Sequence, residues 1–288
     1  MQKLFFVLWE IKLNSNIRCG GVEESKNSSH LKSGNSFICS SASNKKDIFG
    51  NIASIETTGF VDGPGVRVIV FMQGCPLRCL YCHNPEDAFF DTTRYLMTPE
   101  EVVAKIVRYK NYFGKEGGVT FSGGEPLNQP EFLLEVLRLC KENKINTAID
   151  TSGCAKNIFS NRKTKLLDEI LRNVDLIILD IKATDFQDYK EITGQDIKYF
   201  ERFLDTCQKM KKKLWLRHVV VPNINDNVES IKQLKEYISK IKYVKKVELL
   251  PYHDMAKEKY KKLGLTYRLS DTPNMNTKKC SELQKLLD

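Results

Sequence analysis

From residue 48 onward, short runs of apolar and β-branched residues alternate with longer stretches whose apolar positions recur at helical spacing. Six runs read as strands, at 66–72, 118–121, 146–150, 176–181, 214–221 and 247–250. Helix-start signals lie between them. Thr98-Pro99-Glu100-Glu101 opens one helix with proline in its first turn, Gln129-Pro130-Glu131 opens another, and Asn225-Asp226 precedes a third that runs to about residue 242. Runs that are apolar throughout belong in a parallel sheet buried on both faces, and such a sheet carries function at the C-terminal ends of its strands. Six strand–helix units in roughly 230 residues fit an α/β fold built as an open or partial barrel. A doubly wound dinucleotide-binding sheet is the alternative, but no Gly-x-Gly-x-x-Gly follows the first run.

Residues 1–46 differ, with nine serines, five asparagines and no sustained periodicity. They are expected to form a low-order extension ahead of a core domain at 47–288. The opening Leu4-Phe5-Phe6-Val7-Leu8-Trp9 is cut short by Glu10 and Lys12, too brief for a secretory signal. A serine-rich, acid-poor leader fits an organellar transit peptide, and a plain tail or a misassigned start fits as well.

Composition narrows the class. With 288 residues, 41% hydrophobic and 28% charged, the chain is neither disordered nor collagen-like. No apolar run approaches the roughly 18 residues of a membrane span, so a soluble, cytoplasmic protein is expected, and a monomer. The net charge of +9 raises nucleic acid as a partner. The lysines at 209–213, 240–246 and 257–262 read instead as solvated helix faces, without an aromatic-interleaved platform or a helix-turn-helix. An acidic protein partner suits the charge better.

Nine cysteines, an odd number with three crowded together, suit a reducing compartment and a metal site rather than paired bridges. The crowd lies in Gln73-Gly74-Cys75-Pro76-Leu77-Arg78-Cys79-Leu80-Tyr81-Cys82-His83-Asn84, with spacing C-x3-C-x2-C. Three thiolates on one loop can hold a soft metal centre. A structural zinc site closes with four ligands, and His83 abuts Cys82 without the usual gap, whereas a [4Fe-4S] cluster on three cysteines keeps one iron open. Cluster, zinc and inert thiols all stay open on spacing alone, with the cluster favoured. Cys140, Cys154, Cys207 and Cys280 share no ligand spacing and read as structural or surface residues.

The loop resembles that of the radical S-adenosylmethionine superfamily. Asp62-Gly63-Pro64-Gly65-Val66-Arg67, Phe71, Gly74-Cys75, Arg78-Cys79 and Cys82-His83-Asn84 together are similar to the signature of its glycyl-radical-enzyme activases, a resemblance covering about residues 49 to 270. It implies a partial (β/α)6 barrel and a [4Fe-4S] cluster on Cys75, Cys79 and Cys82. It further implies an S-adenosylmethionine pocket formed with Tyr81, His83, Gly123, Gly124, Glu125, Asp180, Ile181, Lys182, Arg217 and His253. Within it, Gly123-Gly124-Glu125 would receive the amino group, Arg217 the methionine carboxylate, and His253 would lie near the adenosyl moiety. Asp62 would contact an incoming glycine loop, and Asp150 and Thr151 would supply oxygens to a monovalent cation. The residues alone also admit plainer roles: a tight turn at Gly123-Gly124, an Asp180–Lys182 pair that satisfies itself, a salt bridge from Arg217 to Asp150 or Asp180, and an Asp62 that stabilises its own turn.

The implied reaction takes an electron from a flavodoxin- or ferredoxin-like donor, cleaves the sulfonium and makes a 5′-deoxyadenosyl radical. That radical takes hydrogen from a backbone glycine of pyruvate formate-lyase or a related glycyl radical enzyme. Activases that carry two further cysteine clusters fit less well, since no cysteine lies between Cys82 and Cys140. A zinc-stabilised binding module without catalysis is the competing class.

Overall fold

The computed structural model describes residues 48–88, 94–161 and 163–287, so the extension at 1–46 lies outside the described residues. Eight strands form one sheet: β1 (Gly50–Gly59), β2 (Arg67–Met72), β3 (Tyr95–Met97), β4 (Gly118–Gly123), β5 (Asn146–Thr151), β6 (Leu176–Asp180), β7 (Leu214–Val220) and β8 (Val244–Pro251), in the order β3-β1-β2-β4-β5-β6-β7-β8. From β2 to β8 every pairing is parallel, while β1 runs antiparallel to β2 and β3 antiparallel to β1. The six parallel strands coincide with the six predicted runs. Sequence periodicity missed β1 and β3, because β1 is apolar only in part and Tyr95 and Leu96 of the three-residue β3 are more than half exposed.

The helices are α1 (Pro85–Ala88), α2 (Pro99–Val107), α3 (Pro130–Glu142), α4 (Lys156–Ser160), α5 (Thr164–Asn173), α6 (Phe186–Thr193), α7 (Lys198–Lys209), α8 (Val228–Ser239), α9 (Lys257–Lys262) and α10 (Thr277–Gln284). Both proline starts are where the sequence places them. Thr98 caps α2 in a full capping box: its hydroxyl accepts the Glu101 amide at 3.2 Å, and the Glu101 carboxylate accepts the Thr98 amide at 2.9 Å. At α3, Gln129 serves the sheet instead, with its carboxamide accepting from Asn51 N–H at 2.7 Å and donating to the carbonyls of Asn51 and Gln73 at 2.9 Å. α8 starts behind Asn227, which accepts the Ser230 amide, and stops at Ser239, short of the expected end. Val68, Val70, Val119, Phe121, Ile149, Ile177, Leu214 and Leu216 are sealed at 0% exposure within the core.

The segment between β1 and β2 is tied down by its backbone carbonyls. Thr120 on β4 donates to Asp62 O at 2.6 Å, and Arg67 Nη1 donates to Pro64 O at 3.1 Å. Arg67 is fully buried and finds carbonyl and hydroxyl acceptors rather than a carboxylate: Thr120 Oγ1 and Val119 O at 2.7 Å and Asn146 Oδ1 at 3.0 Å. Burial pulls its pKa down to about 10, against the opposing charges of Asp175 and Asp62. Gly65 takes a φ of 71°, and a Cβ there would come within 2.5 Å of the Gly117 nitrogen.

Candidate active site

The cysteine loop leaves β2 and is held by backbone hydrogen bonds on two sides. Gly74 N–H donates to Asp87 O at 2.7 Å and Cys75 N–H to Ala88 O at 3.2 Å, while Arg78 and Leu80 donate to the last carbonyls of α6, those of Thr193 and Ile192, at 2.8 and 2.9 Å. Arg78 satisfies the loop from within, its Nη1 meeting the carbonyls of Cys75 and Leu77 at 2.8 and 2.7 Å. The three thiols are half-buried and unbridged. Burial pushes Cys79 up to about 11 and raises Cys75 and Cys82 as well. Thiols so raised need a positive metal centre to become thiolates at neutral pH. Among the described residues, no three His, Cys, Asp or Glu side chains converge on a single ion.

The thiols form one wall of a cavity of about 480 Å³ at the C-terminal ends of the parallel strands. That volume falls within the range of small-molecule sites, roughly 300–1,000 Å³. Tyr81 and His83 join the thiols from the same loop, and the end of β4 contributes Ser122 and Gly123, with Gly124 just past it. At Gly123 φ is 106°, and a Cβ would lie 2.4 Å from the Met72 nitrogen; at Gly124 it would lie 2.5 Å from Gly74 O. Glycine therefore lets the turn close against β2 and the cysteine loop.

Parallel register builds the opposite wall. Asp180 on β6 pairs with Arg217 on β7, and both line the cavity; Arg217 in turn pairs with Glu248 on β8, which lies outside the lining, so acid, base and acid stand side by side across adjacent strands. Arg217 Nη1 lies 3.6 Å from Asp150 and its Nε 3.5 Å from Glu248, the latter outside hydrogen-bond geometry, and Nη2 donates to the Val61 carbonyl. The Asp150 bridge expected as an alternative is therefore present, though long, and Glu248 was not anticipated. Asp180 pairs with Lys182 at 2.6 Å. Burial opposes the Lys182 charge, but Asp180 and its other neighbours hold the ammonium's pKa well above its ordinary value. Asp150 accepts from Ser122 Oγ at 3.0 Å, and burial together with Asp180 pushes its carboxyl up to about 7.

Three expected residues do not line the cavity. Glu125 is fully buried, its carboxylate accepting from Thr151 Oγ1 at 2.6 Å, Ser152 Oγ at 2.5 Å, Ser152 N at 2.9 Å and Leu127 N at 3.1 Å. It ties the β4 turn to the end of β5 and leaves Gly123 and Gly124 to face the cavity. Ile181 is buried, and its carbonyl accepts from His218 Nδ1 at 2.7 Å. Asp62 sits behind Val61, with burial raising its carboxyl against the pull of Arg217 and Arg67. Thr151 lines the cavity, but its hydroxyl donates to Glu125 and accepts from Gly153 N–H, leaving one lone pair beside Asp150.

His83 and His253 stack with ring centroids 3.9 Å apart and an interplanar angle of 21°. Burial, then the neighbouring His253 and Lys182, lowers His83 to about 4, so the imidazole is neutral at pH 7. His83 Nε2, His253 Nδ1 and the Tyr81 hydroxyl are buried without a protein hydrogen-bond partner. Orphaned polar atoms around a cavity fit a polar ligand that satisfies them. Sequence reasoning passed over Ser122, Ser152, Glu248 and the cavity-lining Val61 and Val219; the only local signal was the serine directly ahead of Gly123-Gly124-Glu125.

A model of the radical SAM superfamily matches residues 69–238. The chain is 47% identical over 241 residues to a pyruvate formate-lyase-activating enzyme of Clostridium pasteurianum, a match spanning 83% of this chain and 98% of that protein. An enzyme of the same name from Staphylococcus epidermidis is 42% identical over 224 residues, 77% of this chain and 88% of that one. Among solved structures, Streptococcus suis SuiB bound to S-adenosylmethionine aligns with a TM-score of 0.56 at 17% identity, over 75% of this chain and 44% of that chain, a likeness of fold alone. Since the family model spans more than half of the sequence and the relatives are matched over nearly their whole length, the chain belongs to the radical SAM superfamily and, within it, to the family of pyruvate formate-lyase-activating enzymes.

Proposed function

We propose that this protein installs a glycyl radical in pyruvate formate-lyase. Its superfamily uses a [4Fe-4S] cluster and S-adenosylmethionine. Together these groups supply one-electron cleavage of a sulfonium and a carbon radical able to take hydrogen from a glycine Cα. The observation that carries the reading is the cavity itself, with three thiols on one wall and the register-paired Asp180 and Arg217 on the other.

Cys75, Cys79 and Cys82 would hold the cluster. The backbone at Gly123 and Gly124 offers carbonyls to an amino group, with Glu125 as the strut behind them. Arg217 would offer its guanidinium to a carboxylate, with Asp180 and Lys182 lining the cavity beside it, while Ile181 would act only from behind that lining. Tyr81, His83 and His253 present orphaned polar atoms and a stacked imidazole face to a nucleoside. Asp150 and Thr151 would share a monovalent cation near the carboxylate. Asp62, on a loop clamped by Thr120 and Arg67, would meet the glycine loop of the partner. A monomer accepting electrons from a flavodoxin- or ferredoxin-like donor completes the reading, with residues 1–46 as an extension to a core at 47–288.

Anaerobic reconstitution should give about four irons and four sulfides per chain. Incubation with dithionite, S-adenosylmethionine and pyruvate formate-lyase should then produce a glycyl-radical signal by electron paramagnetic resonance. One zinc without sulfide would overturn the reading, and a radical formed only on a different glycyl radical enzyme would move the substrate.

A further inference from the structure

The lysine-rich stretch Lys257-Glu258-Lys259-Tyr260-Lys261-Lys262 reads in sequence as a solvated face, and the structure sets it beside the cysteine loop. It forms α9, and Lys259 Nζ reaches Glu86 Oε1 at 2.8 Å and Asn84 Oδ1 at 3.0 Å, both just past Cys82. Farther on, Arg268 Nη2 donates to the Arg78 carbonyl at 2.6 Å. Next to these fastenings lies a second cavity, of about 390 Å³. Cys79 and Cys82 border it as they border the first, so the cysteine loop stands as a partition between two cavities.

The second cavity has apolar walls and a basic mouth. Leu77, Leu80, Pro85, Ala88 and Tyr260 line it, and the exposed Leu265 and Arg268 open it to solvent. Charge around the mouth is one-sided: from residue 257 to 268, Lys257, Lys259, Lys261, Lys262 and Arg268 face Glu258 as the single acid. Lys261 and Lys262 are exposed, and the exposed Leu263 follows them directly. An apolar depression ringed by one sign of charge suits a transient partner of the opposite sign, since the charges steer the encounter and the depression fixes its register.

We propose that this face, from α9 to Arg268, is the docking surface for an acidic one-electron donor protein, which sets its redox group over the second cavity. The proposal rests on the reading of Cys79 and Cys82 as cluster ligands. One electron leaves the reduced donor and enters the oxidised cluster, and no atom or proton changes hands. The partition gives the face its use: a cofactor filling the first cavity closes that approach to a redox protein, while the second cavity reaches the same two cysteines from solvent. A donor must also leave after each electron, and a small, charge-steered contact allows that.

The test uses full-length protein, reconstituted anaerobically and assayed for iron and sulfide, with a flavodoxin and a ferredoxin as acidic donors. Leu265→Glu places an acid in the mouth, and the double variant Lys261→Glu/Lys262→Glu reverses the charge beside it. Lys240→Glu/Lys242→Glu, ahead of β8 at the far end of the strands, makes the same charge change elsewhere. Calorimetric titration with the oxidised donors reads docking, and stopped-flow reduction of the cluster by the photoreduced donors reads electron entry. At low salt, both face variants should bind the tighter donor about tenfold or more weakly and be reduced correspondingly slowly, and added salt should weaken wild-type binding steeply. The Lys240/Lys242 variant should bind as wild type does, and glycyl-radical formation driven by dithionite, which needs no docking, should be alike in all four proteins. A wild-type protein that binds neither donor, face variants that bind normally, or an equal loss in the Lys240/Lys242 variant would each overturn the proposal. So would a fall in dithionite-driven radical formation in the face variants, which would make the face a contact for the glycyl radical enzyme. A wild-type protein that assembles no four-iron cluster would instead sink the functional reading beneath it.

Discussion

Replacing Glu125 separates the two roles open to it, ligand contact and internal strut. Its carboxylate is fully buried and accepts four hydrogen bonds, two from hydroxyls and two from backbone amides. Glu125→Ala strands those donors in a dry site, at roughly 1–3 kcal/mol for each one left unsatisfied. The Thr151 and Ser152 hydroxyls can rotate toward other acceptors, but the Leu127 and Ser152 amides cannot. Removing the carboxylate also relieves its desolvation, which is the main cause of its raised pKa. The balance is a net loss of about 3–5 kcal/mol, in the range of a broken buried network. For a domain of this size that lowers the melting temperature by very roughly 6–20 °C. Glu125→Gln keeps the shape but turns one acceptor into a donor, and should cost about 1–3 kcal/mol. Thermal and denaturant unfolding of the metal-free protein, beside S-adenosylmethionine titrations of the reconstituted one, reads both effects. If Glu125→Ala unfolds within about 1 kcal/mol of wild type while cofactor binding collapses, the carboxylate is a ligand contact and the strut reading fails.

Four further outcomes are expected. Arg217→Ala should raise the S-adenosylmethionine dissociation constant by about tenfold or more, from roughly 1.5–3 kcal/mol per charge-assisted bond lost; an unchanged constant with a much lower melting temperature would leave Arg217 only its contacts with Asp150, Glu248 and Val61. His218 donates from Nδ1 to Ile181 O and accepts at Nε2 from Asn225, so burial keeps it neutral with a lowered pKa. Its stabilising contribution is therefore complete above the unfolded pKa of about 6.5 and lost as pH falls below it, a slope that His218→Gln should flatten in unfolding measurements. Cys140→Ala and Cys207→Ala should leave iron and sulfide at wild-type levels, because both thiols are sealed in the core away from the loop, whereas Cys79→Ala should lose the cluster by the same assay. Deleting residues 1–46 should leave melting temperature and activity unchanged, and a large fall in either would show that the extension packs on the core.

Much of the fold was legible because its signals are local. A strand buried on both faces is mostly apolar, so β2, β4, β5, β6 and β7 announce themselves as runs; β8, at the sheet edge, shows only its 247–250 stretch, and β1 and β3 are partly wet and carry no such mark. The cysteine loop was legible for the same reason, since the spacing of Cys75, Cys79 and Cys82 along one turn of backbone already sets how their sulfurs can share a metal centre. What the tertiary structure decided are the partnerships made across sequence distance. Sheet register brings Glu248 beside Arg217, the meeting of the β4 and β5 ends hands Glu125 to Thr151 and Ser152 instead of the cavity, and the return of α9 sets Lys259 on Glu86 and Asn84, just past Cys82. Arg67 makes the point most plainly: an arginine in a strand calls for a carboxylate by its charge, yet here carbonyls and a hydroxyl gathered from β4, the Pro64 turn and Asn146 satisfy it. Side-chain chemistry states what each group requires, and only the packing of distant strands determines which groups are near enough to supply it.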